Sequence, residues 1–220
     1  MISQSIQELR TTLPNHVQLI AVSKTHSPEA ILEAYAAGQR DFGENKVQEM
    51  VDKYTQLPKD IRWHMIGHLQ TNKVKYIAPF VHLIHGVESM KLLQEINKQG
   101  NKNQRIIPCL LQFHIAQEQT KFGLTKEEAQ EILTSSDFHS MKHISLHGVM
   151  GMATFTENAA QIREEFKALQ GIFMALKTAF FETSKEFKEI SMGMSDDYPL
   201  AIEEGSTLIR VGSKIFGKRF

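Results

Sequence analysis

Three places in this sequence carry residue types and spacings that could do chemistry. The first is Lys24, which follows the apolar run 17–22 (VQLIAV) and Ser23. The run reads as a buried strand, so a lysine at its end looks into the mouth of a core. An amine there can be partly desolvated, which favours the neutral form that attacks a carbonyl carbon. On position alone, Lys24 reads equally as a surface residue where a strand exits. The second place is the segment 191–197 (SMGMSDD). It follows a strand candidate and opens a helix that Ser195 or Asp196 can cap. Backbone N–H groups beside small residues at a helix start suit an anion, phosphate above all. The third is 210–213 (RVGS), where Gly212 permits close backbone approach and Ser213 offers a hydroxyl. Either loop alone is a helix cap or a glycine turn. Together, at neighbouring strand ends, they point to a phosphate.

These residues need elements to hold them. β-like runs lie near 17–22, 40–42, 62–66, 82–86, 106–113, 144–149, 188–192 and 207–211. Helix-like runs lie near 3–11, 28–37, 45–56, 71–78, 88–99, 125–134, 158–181 and 197–204. Ser27-Pro28 is a helix start, Gly38 a stop, and Thr125 with Glu128 a capping box. Ile162, Phe166, Leu169, Phe173 and Leu176 recur with a helical period. Eight strands alternating with helices in 220 residues predict an α/β fold, a single (β/α)8 TIM barrel with an extra N-terminal helix. Without a linker or low-complexity tract, residues 1–220 read as one domain. In such a barrel the strand C-terminal ends carry the site. Lys24 and both loops fall there. Arg210 points inward if Leu208 does, and a buried arginine requires an acceptor.

Bulk properties narrow the classes. Lys plus Arg equals Asp plus Glu at 25 each, so no basic excess advertises nucleic acid. No apolar run approaches the roughly 20 residues that cross a bilayer. The N-terminus lacks the pattern of a signal peptide, so a cytoplasmic protein is expected. The one cysteine, Cys109, sits in an apolar run and reads as a buried thiol. His139, His143 and His147 have helical spacing, but 143–149 alternates like a strand, so no metal site is expected. The span 212–218 mimics a phosphate-binding P-loop, yet Arg219 stands where Ser or Thr would bind magnesium.

The blocks 19–25 (LIAVSKT), 42–49 (FGENKVQE), 63–73 (WHMIGHLQTNK), 191–197 (SMGMSDD) and 209–217 (IRVGSKIFG) resemble, in order, the signature blocks of the pyridoxal phosphate homeostasis family. The resemblance implies the alanine racemase N-terminal barrel standing alone, with pyridoxal 5′-phosphate held as a Schiff base. By motif, Lys24 is the lysine that forms it. Ser191, Gly193, Met194, Gly212 and Ser213 match the phosphate cradle, Arg210 the arginine facing the pyridine nitrogen, and Asn45 a residue near the ring. His68 departs from the family, where proline is common. No catalytic turnover is established for the family, and its implied role is to hold and distribute the cofactor. The expected partners are pyridoxal phosphate and pyridoxal phosphate-dependent apoenzymes, with a monomer expected.

Arginine donates hydrogen bonds and accepts none, so Arg210 would keep the ring nitrogen unprotonated and the electron sink shallow. Related racemases add a tyrosine through a second domain. None is expected here, because the sequence ends at Phe220, and Tyr198 is expected to pack on its helix start. The alternative is a weak pyridoxal phosphate-dependent amino-acid racemase.

Overall fold

Strand alternation decides what this chain buries. The computed structural model describes residues 1–117 and 122–217. Lys218 and Arg219, which complete the P-loop-like span, lie outside them. Eight strands run β1 (Gln18–Val22), β2 (Asp41–Glu44), β3 (Arg62–Met65), β4 (Leu83–Val87), β5 (Ile107–Gln112), β6 (Ile144–Met150), β7 (Glu189–Ser191) and β8 (Leu208–Val211). Each pairs in parallel with the next, and β8 returns to β1 with Leu208 opposite Gln18 and Arg210 opposite Ile20. The closed barrel leaves no open edge. Ile20, Leu83, Leu110, Met150 and Leu208 form one apolar cluster, separate from the larger core that includes Phe42, Trp63, Phe166 and Phe187. With Leu208 inside, Arg210 two residues on is inside too, and it is buried. At Gly148 a Cβ would stand 1.8 Å from the Glu189 carbonyl oxygen, so β6 can pass β7 here only as glycine.

Helices cover the outside: α1 (Ile2–Thr12), α2 (Pro28–Ala36), α3 (Val47–Gln56), α4 (Val74–Ile77), α5 (Met90–Lys102), α6 (Lys126–Thr134), α7 (Ser136–Ser140), α8 (Ala159–Phe180), α9 (Tyr198–Glu203) and α10 (Ser213–Phe216). Ser27 and Pro28 start α2, and Gly38 ends it at φ 89°. The Thr125–Glu128 capping box is formed. α1 lies outside the eight-fold alternation. It buries Ile6 and Leu9, and Arg10 bonds the carbonyls of Ala37 and Gly38. The expected helix 71–78 is instead a 3-10 turn, Thr71–Lys73, and the single turn α4, stopped ahead of Pro79. Ser135 caps α7, a helix the sequence pattern did not reveal. His139 ends up on α7 and His147 on β6, so the helical spacing of 139, 143 and 147 does not survive folding. Cys109 is buried and its thiol is pushed up by burial. No described helix is long and apolar enough to cross a membrane.

Candidate functional site

Lys24 is half-buried, two residues beyond β1. Its loop is held from both flanks. On one side, the Ser23 carbonyl accepts from Lys53 Nζ at 2.8 Å, and the Ser23 hydroxyl donates to Glu44 Oε1 at 2.6 Å. On the other, the Thr25 N–H donates to Glu49 Oε1. Lys53 ties the two sides together, donating to Glu44 at 2.8 Å and to Glu49 at 2.6 Å. Thr25 is held at φ 69°, an unusual conformation for a β-branched residue that persists only where surroundings impose it. Burial pushes the Glu44 carboxyl up against the opposing hydrogen bond from Lys53. At the less buried Glu49, burial is outweighed by Lys53 and the Thr25 N–H, and the carboxyl is held low.

Arg210 is the buried arginine expected from its parity. Its acceptors are not a carboxylate. One terminal nitrogen donates to the Ser191 carbonyl at 2.9 Å and to the Ser191 hydroxyl at 2.5 Å, and the other donates to the Gly151 carbonyl at 3.0 Å. Its Nε–H makes no hydrogen bond among the described residues. Burial lowers its pKa to about 10, against the opposing charge of Asp197.

The loops after β7 and β8 are joined. Ser195 does not cap α9; its hydroxyl accepts from the Gly212 N–H at 3.1 Å. The N-cap is Asp197, which makes no side-chain cap bond, and its carboxylate accepts from the Met194 N–H at 2.5 Å. The helix it opens has six residues. Gly193 sits at φ 93°, and its carbonyl accepts from the Arg210 N–H at 2.9 Å. A Cβ at Gly212 would meet the Val22 carbonyl oxygen at 3.2 Å, so the third loop lies against the end of β1. Ser213 is exposed and opens α10. Tyr198 starts α9 beneath Lys214, whose Nζ is 4.7 Å from the ring centroid. Asn45 is half-buried just beyond β2, and its backbone packs where a Cβ on Gly67 would stand.

Lys24, Asn45, Gly193, Met194, Arg210, Gly212 and Ser213 therefore all lie at or just beyond strand C-terminal ends. Ser191 differs, because its hydroxyl is spent inside the barrel on Arg210 and on His85 Nδ1, 2.9 Å away. The sequence pattern assigns Lys53 no place in the site, and although Glu44 and Glu49 fall in the block 42–49, it gives them no role. The Glu49–Lys53 spacing of four reads as an ordinary surface pair. The signal in the sequence is the apolar pair Val47 and Met50 on the same helix, with Lys53 continuing their spacing of three; all three are buried. The arrangement offers an amine carried on a fixed backbone, a buried cation that can only donate, and two joined loops with backbone amides.

Known proteins match the chain along its length. The family described as alanine racemase, N-terminal domain, matches residues 1–219. Pyridoxal phosphate homeostasis proteins of Aquifex aeolicus and Helicobacter pylori (strain ATCC 700392 / 26695) are 37% and 38% identical over 206 and 215 residues. These alignments cover 93% and 96% of this chain, and 88% and 93% of theirs. PipY of Synechococcus elongatus PCC7942 has been solved without PLP and with PLP bound. It is 36% identical, with TM-scores of 0.91 and 0.88, covering 99% of this chain and 100% of PipY. Alanine racemase from E. faecalis shares the fold at a TM-score of 0.73 and 15% identity, over 99% of this chain and 58% of that one.

Proposed function

The chain belongs to the pyridoxal phosphate homeostasis family, built on the alanine racemase N-terminal barrel, and on that premise we propose that it binds pyridoxal 5′-phosphate to hold it rather than to turn it over. When bound, the cofactor supplies an aldehyde carbon, a ring nitrogen and a phosphate. The residues present fit these groups. Lys24 would be the attachment point, its amine placed to hold the cofactor through the aldehyde carbon. Arg210 has an Nε–H without an acceptor among the described residues, and it would donate to the ring nitrogen of the bound cofactor. The amides of Gly193, Met194, Gly212 and Ser213, with the Ser213 hydroxyl, cradle the phosphate. The Met194 and Gly212 amides become available once their present acceptors, the Asp197 carboxylate and the Ser195 hydroxyl, turn away. Asn45 lines the ring, and Ser191 serves through its grip on Arg210.

The observation that carries this proposal is the clamp on Lys24. Lys53, Glu44 and Glu49 fix the backbone of the loop that presents Lys24 at the barrel mouth. A donor-only arginine beside the ring withholds the proton that would deepen the electron sink, which suits storage. Pyridoxal phosphate-dependent apoenzymes are the recipients, and the chain works as a cytoplasmic monomer. The barrel is shared with racemases, so the second candidate is weak amino-acid racemisation, for which Tyr198 would have to act as the opposite acid or base.

The two separate cleanly by experiment. The loaded protein is incubated with L-amino acids and chirality is followed by chiral chromatography. Holding predicts no turnover above free cofactor. Sustained racemisation that disappears in Lys24→Ala would overturn it.

A further inference from the structure

Behind Arg210 and Ser191 the barrel interior holds a line of polar residues, Asp41, His64 and His85, to which the proposed function assigns no role. Arg62 grips Asp41 with two nitrogens, at 2.7 and 2.5 Å. Asp41 Oδ1 is 3.0 Å from His64 Nε2. His64 Nδ1 is 3.0 Å from His85 Nε2, and His85 Nδ1 is 2.9 Å from the Ser191 hydroxyl. That hydroxyl accepts from Arg210 at 2.5 Å. Asp41, His64, His85, Ser191 and Arg210 are all buried. Asp41 starts β2 at the N-terminal end of the barrel, and Ser191 ends β7 at the mouth. The line therefore runs from one end of the barrel to the other.

Its two ends dictate its direction. Arg210 can only donate and ionised Asp41 can only accept. A neutral imidazole passes one hydrogen bond in and one out. The consistent arrangement is Arg210 to Ser191, Ser191 to His85 Nδ1, His85 Nε2–H to His64 Nδ1, and His64 Nε2–H to Asp41. Reversing it would aim a His64 lone pair at a carboxylate oxygen 3.0 Å away. An imidazolium would add a third positive charge to Arg62 and Arg210, against one carboxylate in the line. We propose that Asp41, His64, His85 and Ser191 are positioning residues for Arg210, joined in a one-way hydrogen-bond chain that fixes its guanidinium against the cofactor ring. The part concerning the ring rests on the function proposed above; the direction of the chain does not. Burial, with the charge of Arg210 acting in the same direction, holds the His85 pKa well below its usual value, which supports a neutral ring there.

One competing use of the same residues fails on geometry. Donor atoms of Asp41, His64 and His82 lie within 4.8 Å of one another, close enough to suggest a cation. Both Asp41 oxygens already bind Arg62, and Oδ1 also meets His64. A cation would have to displace a guanidinium.

The test begins with the cofactor-free protein, labelled with 15N at histidine, in two-bond 1H–15N correlation spectra at pH 7. The chain predicts His64 and His85 both neutral and both protonated at Nε2. A proton on Nδ1 of either ring, or an imidazolium, overturns it. The second arm measures cofactor release from Asp41→Asn and from His85→Gln. Losing one link should speed release about tenfold, the equivalent of one net hydrogen bond. Release at the wild-type rate from either folded variant would refute the positioning role. The wild-type tautomers decide the direction even if Asp41→Asn fails to fold. A protein that binds no cofactor but shows both tautomers would refute the proposed function alone.

Discussion

Lys53 Nζ lies 2.8 Å from the carbonyl oxygen of Ser23, the residue before Lys24. A buried ammonium from α3 thus reaches 30 residues back along the chain to set the backbone of the loop that presents the attachment amine. The same nitrogen holds Glu44 and Glu49, so the clamp acts as a unit and its parts are not independent.

Removing the cation should therefore cost more than a surface ion pair would. Lys53→Met leaves Glu44 buried without its counter-charge, and a broken buried pair costs about 3–5 kcal/mol. Glu44→Gln, which keeps the shape, should cost less. In urea unfolding of the cofactor-free protein, the double variant should be less destabilised than the sum of the two. Simple additivity would show that the clamp is not coupled.

The loop after β7 should tolerate no side chain at Gly193. The residue is at φ 93°, and a Cβ would lie 2.6 Å from the Cβ of Ala201. Gly193→Ala should lose about 1–3 kcal/mol from strain and weaken cofactor binding by more than tenfold, read by titration in visible absorbance. Wild-type affinity in the variant would remove this loop from the cradle.

Histidines whose charged form the fold disfavours give stability a pH dependence: His85 is buried, His147 half-buried and His82 exposed at the surface. Desolvation lowers the pKa of His82 to about 4, although its side chain is exposed at the surface, and burial also lowers those of His147 and His85. A depressed histidine takes up its proton in the unfolded chain first. Its contribution is complete above the unfolded value of about 6.5 and is lost as pH falls below it. Glu44 and Asp197, raised by burial, act in the opposite sense. The contrast between wild type and His85→Gln isolates the histidine part. The wild type should lose more stability than the variant between pH 7.5 and pH 5 in denaturant midpoints. Equal losses would show that His85 is not held neutral by the fold.

Much of this architecture is legible along the chain because it is local. The β1 run, the Thr125–Glu128 box and the Gly38 stop are read from neighbouring residues. The inward direction of Arg210 follows from Leu208 by strand parity alone. What stayed hidden depends on closure of the barrel. Ser195 reads as a helix cap, yet its hydroxyl finds the Gly212 N–H because β7 and β8 end side by side. His64 and His85 read as unrelated residues until the parallel register of β3, β4 and β7 lines them up with Ser191. The clamp of Glu44, Glu49 and Lys53 stayed hidden because the sequence does not say that α3 folds back to bring Lys53 onto the end of β2.

The central claim is that Lys24 holds the cofactor covalently. It is tested by loading the protein with pyridoxal 5′-phosphate, reducing with borohydride and mapping the labelled peptide by mass spectrometry. The account predicts one reduced adduct, on Lys24, absent from Lys24→Ala although that variant remains folded. An adduct on another lysine, or undiminished labelling of Lys24→Ala, would contradict it.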